Sequence, residues 1–212
     1  MTSSAISAQG STLSIGTGTG SAKTITGVAV GFPTIITSTA HGLSEGDVVT
    51  LSGLTGADAA ALSGQTVSVR NVTANTFAVG LNTVGKTITA SGTATPVTWT
   101  QLANLKSFSG VDGSAADIEV TNLDSTAKEF ISGISNAGQF SFEIDYDGSN
   151  AGHIALRSKQ SSRATSQFKL VLPNAQAITF AAYVKKFPIQ GGIDQIVRTS
   201  VSVQITGAVS GL

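Results

Sequence analysis

The chain has 212 residues, 41% hydrophobic and only 11% charged, with 24 glycines and no cysteine. That excludes a disulfide framework and thiolate metal sites, and it favours turn-rich β-structure over a helical bundle. Twelve basic and twelve acidic residues cancel, so no global field draws the chain to nucleic acid or to an anionic membrane.

The opening MTSSAISAQGSTLSIG lacks the basic and apolar regions of a signal peptide, and no apolar run reaches membrane-helix length. The reading is a chain made in a cytosol, with no membrane anchor. Two textures follow. Residues 17–97 are rich in Thr, Gly, Val and Ala and sparsely charged, whereas residues 98–212 hold most of the Phe, Lys, Arg and acids. The segments between them, GTGTGSAKT (16–24) and ASGTATPVTW (90–99), read as flexible entry and exit.

The first texture predicts short strands separated by turn residues. They fall in PTIITSTA, at Val48–Leu51, in a hairpin, and in KTITASGTA. The hairpin carries Val67, Val69 and Val72 before a turn at Ala74–Asn75, then Phe77 and Val79. A small β-barrel or sandwich of about 80 residues is the physical reading. In the second texture TWTQLANLKSFSG leads in, ADIEVTN is a strand, and LDSTAKEFISGISNA (123–137) reads as a loop.

GQFSFEIDYDGSN then alternates strictly. Gln139, Ser141, Glu143, Asp145 and Asp147 take one phase, and Phe140, Phe142, Ile144 and Tyr146 take the other. SNAGHIALRSKQSS is the one expected helix, capped by Ser149 or Asn150, with Ala151, Ile154 and Ala155 on its apolar face. Strands in SQFKLVLP and AITFAAYVKKFP precede a long last one. There Val197, Val201, Val203 and Ile205 alternate with Arg198, Ser200, Ser202 and Gln204.

Several stretches invite a chemical reading. Glu143, Asp145 and Asp147 lie on one flank of one strand, whereas a glycosidase needs two carboxylates facing each other across a substrate. A wet sheet face fits them better. DYDGSN resembles the start of a calcium loop, but Gly148 falls two places early. His41 reads as a turn residue, and His153 as a surface or packing residue; neither has a metal-ligand partner at helical spacing. In GTGTGSAKT, Ala22 and Thr17 stand where a P-loop needs glycines. The NVT at 71–73 is a glycosylation signal only in a secreted chain. No catalytic residue, metal or cofactor is expected.

One stretch, ADIEVTNLDSTAKEFISGISNAGQFSFEIDYDGSNAGHIAL, resembles the central part of siphophage major tail proteins, the tail tube family. The later FKLVLPNAQAITFAAYVKKFPIQGGIDQIVRTSVSVQITG is similar to that family's ending, and QGSTLSIG to its first strand. The resemblance covers residues 5–16 and 98–208. The segment between departs from the pattern; STAHGLSEGDVVTLSGL and LSGQTVSVRNVTANTFAV resemble a small β-module recurrent in phage structural proteins.

The resemblance implies a mainly β chain: a tail-tube-type β-sandwich or barrel subunit with one short helix, residues 1–16 and 98–212. Residues 17–97 would be an inserted all-β module on its outer surface. It implies a structural subunit of hexameric rings that stack into the conduit for viral DNA ejection, located in the virion tail and synthesised in the bacterial host. Its implied partners are copies of itself, tape measure, tail terminator and distal tail proteins, and DNA that passes without specific binding. Gln139, Ser141, Glu143, Asp145, Ser200, Ser202 and Gln204 would line the lumen, and Asp124, Ser125, Thr126, Lys128, Glu129 and Phe130 would form an inter-ring loop. The rival reading is a monomeric β-sandwich that binds carbohydrate or a surface. The single Trp99 and two Tyr make a thin sugar platform.

Overall fold

A computed structural model describes residues 5–89, 91–111 and 115–211. Ala90 of the expected exit segment and the first four residues of the opening stretch lie outside the described residues. The chain forms two compact units. The first comprises Met1–Leu102, Ser166–Thr179 and Ser210–Leu212; the second comprises Ala103–Thr165 and Phe180–Val209.

The first unit contains β1 (Thr12–Thr19), β2 (Lys23–Ile25), β3 (Gly27–Ala29), β4 (Thr34–Thr37), β5 (Val48–Ser52), β6 (Thr66–Arg70), β7 (Thr76–Val79) and β8 (Gly92–Leu102). Antiparallel ladders join them in the order β3-β4-β7-β6-β5-β8-β1, and β2 adds to β8. The hairpin expected around Ala74–Asn75 is β6 and β7, with Val72 in the turn rather than in a strand. Ile25, Ile36, Val49, Leu51, Leu62, Val69, Phe77 and Val79 close one apolar cluster. His41 is buried beside it, edge-on to Phe77 at 5.4 Å, its Nδ1 accepting from the Leu43 N–H at 3.0 Å.

Both segments expected to be flexible are mostly strand among the described residues. β1 runs on to Thr19, and its glycines serve close approach: a Cβ at Gly16 would lie 2.8 Å from Val97. β8 is an unbroken strand of 11 residues. Its ladder passes from β5 to β1 at Pro96, which faces Val49, while Val97 faces Thr19. Among the described residues of KTITASGTA before Gly92 there is no strand, only an isolated bridge, Thr55 to Thr89. A further strand of this unit, β13 (Ser166–Val171), pairs β1 antiparallel, Leu13 opposite Leu170. Its Lys169 bonds Asp47 at 3.0 Å and lies 4.8 Å from the Trp99 ring centre.

The second unit holds β9 (Leu105–Gly110), β10 (Ala115–Glu119), β11 (Phe130–Ser135), β12 (Gln139–Asp145) and α1 (Ala151–Ser162). It also holds most of β14 (Ala177–Lys186), β15 (Ile189–Gln190) and most of β16 (Arg198–Ser210). Here the sheet order is β14-β16-β12-β9, while among the described residues β10 and β11 pair only with each other. Phe130–Ser135, six of the fifteen residues of the stretch 123–137 expected as a loop, are therefore strand. Phe140, Phe142, Phe180, Val201 and Val203 are buried, and Phe140 meets Phe180 edge-on at 5.2 Å. Each such ring contributes about 1.5–3 kcal/mol by burial.

Asn150 caps α1, its side chain accepting from Gly152 and His153. The buried face is Gly152, His153 and Leu156, not Ala151, Ile154 and Ala155; Ile154 is exposed. His153 is tolerated inside because its ring is satisfied by backbone. Nε2 faces the Ala103 carbonyl at 3.0 Å, and Nδ1 accepts from the Asp147 N–H at 3.1 Å. Val197, expected on the dry face of the last strand, precedes it and is exposed.

Candidate functional site

β12 is a strand because its period-two pattern can bury one face and wet the other, and it does. Phe140, Phe142 and Ile144 are buried while Gln139, Ser141, Glu143 and Asp145 take the opposite face. Register extends that face across three strands. Gln139 stands opposite Gln204, Ser141 opposite Ser202, Glu143 opposite Ser200 and Asp145 opposite Arg198. On the other side Ser109 is opposite Ser141, and Ser107 is opposite Glu143. Directly paired residues project to the same side of a sheet. All seven residues expected to line a lumen therefore share one polar face.

The charges on that face balance. Asp145 bonds Lys106 at 3.0 Å and the Arg198 Nε at 3.2 Å. Lys106 was not foreseen. It stands where the β9–β12 register shifts between Glu143 and Ile144. Arg198, in the polar phase of the last strand, thus pairs with an acid of β12, while Lys169 bonds Asp47. Glu143 forms no ion pair among the described residues. The surface is a strip of hydroxyls and amides with one free acid and a compensated cluster at its end.

Asp147 lies past the strand. The Ser149 hydroxyl, at 2.7 Å, and then the Ser149 N–H, at 2.8 Å, hold its carboxyl below the usual aspartate range. This carboxylate organises the turn into α1.

The expected inter-ring residues lie at one end of the β10–β11 hairpin. Asp124, Ser125, Thr126, Lys128 and Glu129 form the connection, and Phe130 opens β11. The connection is knitted internally: the Asp124 N–H bonds Asn122 at 2.9 Å, the Ser125 hydroxyl bonds Glu129 at 3.2 Å, and the Val120 N–H bonds the Glu129 carbonyl at 2.9 Å. The hairpin is nonetheless apolar on its surface: Ile118, Val120, Leu123, Phe130, Ile131 and Ile134 are all exposed on it. The signal that could have shown this was the apolar content of ADIEV and FISGI, read as two paired strands.

Residues 80–176 match the family model described as phage tail tube, lambda-like. No curated protein matches the chain. The matched residues contain β8 to β12, α1 and β13, and bear out there the resemblance to siphophage major tail proteins. Over these residues the chain is similar to a phage tail tube protein.

Proposed function

We propose that this chain is a tail tube subunit that closes into six-membered rings, which stack into a conduit for viral DNA, with the polar face of β9, β12 and β16 turned to the lumen. The observation that carries the reading is the register that assembles Gln139, Ser141, Glu143, Ser200, Ser202 and Gln204 on one face, backed by Phe140, Phe142, Val201 and Val203. Four strands per subunit, six times over, make about 24 strands. At roughly 4.8 Å spacing and about 40° tilt the backbone diameter is on the order of 48 Å, enough for duplex DNA after side chains. Closure also pairs the free edge of β9, which ends the strand order. A wall of hydroxyls and amides with balanced charge offers phosphates few cations, so passing DNA gains little from counterion release.

Residues 17–97 form the outward module in this reading. Their apolar cluster, from Ile25 to Ala94, is made of their own residues. Because β1 continues to Thr19 and β8 begins at Gly92, the replacement that spares both strands runs from 21 to 91. Tape measure, terminator and distal tail proteins are the partners of the tube's bore and ends. Negative-stain images of the purified chain test the function. Six-fold rings and tubes are expected, with the bore unchanged and the outer diameter reduced when 21–91 becomes a short Gly/Ser linker. Compact monomeric particles would instead favour a surface-binding β-sandwich.

A further inference from the structure

We propose that the acidic β10–β11 hairpin of one copy docks into a cationic groove, between the C-terminal end of α1 and the end of β14, on a copy in the adjoining ring. The proposal rests on the ring-stacking reading and supplies the receiving surface.

The chain's zero net charge conceals a separation. From residue 148 through 193 there is no Asp or Glu, while α1, its cap and β14 carry Arg157, Lys159, Arg163, Lys185 and Lys186. Gln160, Arg163, Tyr183, Val184, Lys185 and Lys186 line a groove of about 530 Å³. Arg163, Lys185 and Lys186 are exposed and form no ion pair among the described residues. A cation at a helix C-terminus is favoured by the helix dipole, which explains Lys159 and Arg163. It does not explain two adjacent lysines at the end of a strand on the same groove.

The hairpin has the complementary character. It carries Asp117, Glu119, Asp124 and Glu129 against one cation, Lys128, which is occupied by Glu119 at 3.4 Å. Leu123 is wholly exposed between the two strands, beside Asp124. It offers an apolar contact for the partly exposed Tyr183 ring in the groove wall. An isolated two-stranded hairpin is marginal in water, so this one gains from a partner along its length. Two different, complementary patches on every copy make a heterologous contact, which repeats without closing and therefore extends along an axis. That is the contact stacking requires. Equal supply of both patches by each chain favours a second copy over DNA as the occupant.

The test is charge reversal. Arg163→Glu, Lys185→Glu and Lys186→Glu together, or Asp117→Lys, Asp124→Lys and Glu129→Lys together, should raise the concentration needed for tubes tenfold or more and leave rings. An equimolar mixture of the two variants, or both sets in one chain, should restore stacking. Circular dichroism checks folding, and Gln replacements that remove charge without reversing it serve if a reversed chain does not fold. If groove reversal stacks normally while hairpin reversal does not, the groove is not the receiver and the stacking role of the hairpin stands. If both stack normally, both readings fail. A groove variant that stacks normally but loses salt-dependent binding of duplex DNA would assign the groove to nucleic acid and overturn the proposal.

Discussion

Replacing residues 121–129 with a two-residue turn from Val120 to Phe130 is expected to abolish tubes while single rings persist. Among the described residues the hairpin pairs with no other strand, and six large apolar side chains along it face solvent. Its internal hydrogen bonds shape the connection but bury nothing, so its stability in the free subunit is near the low end for native structure. The same property gives a second readout. Amides of 123–137 should exchange rapidly in the unassembled chain and become protected in tubes, because ordering of the hairpin is completed by its neighbour. Tubes assembling from the shortened chain as readily as from the full one would remove the hairpin from the assembly contact.

Changing Glu143 to Lys is expected to leave folding intact and slow DNA ejection about tenfold at low salt, with the defect shrinking as salt rises. Among the described residues Glu143 is the one acid of the polar face without an ion pair, so its replacement breaks no bridge there. In a ring of six it shifts the wall by about twelve charges toward phosphate binding. Asp145 makes the contrasting case. It holds Lys106 and Arg198 together, and a lysine there would bring three cations into one place. Its substitution should cost about 2 kcal/mol of stability, moderated because both cations are half-exposed and can turn to water. Normal ejection kinetics through Glu143→Lys tubes would contradict the lumen assignment of this face.

The alternation in 139–146 and 198–205 was legible because burial on a strand follows from the residue itself and its period-two neighbours. It placed Phe140, Phe142, Val201 and Val203 inside and grouped the seven polar residues correctly on one face. The glycine-rich boundaries were not legible. Gly16 is glycine because Val97 approaches it, and Gly92 because a Cβ there would lie 2.5 Å from the Ser52 carbonyl; both reasons lie far away in sequence. The helix face was not legible because His153, which reads equally as surface or packing, goes inside only once two backbone segments satisfy its ring. Lys106 was missed for a related reason: a shift in strand register, which no periodicity announces, sets it against Asp145.

In the proposed tube, β12 and β16 present their polar face to the axis of a closed ring. A six-fold averaged density map of the assembled tube at side-chain resolution tests it most directly. The expected result is Ser141, Glu143, Ser200 and Ser202 on the inner wall, with Phe140 and Phe142 packed outward into the subunit. A map in which those four residues face the outer surface or the interface between rings, or in which no closed ring forms, would contradict it.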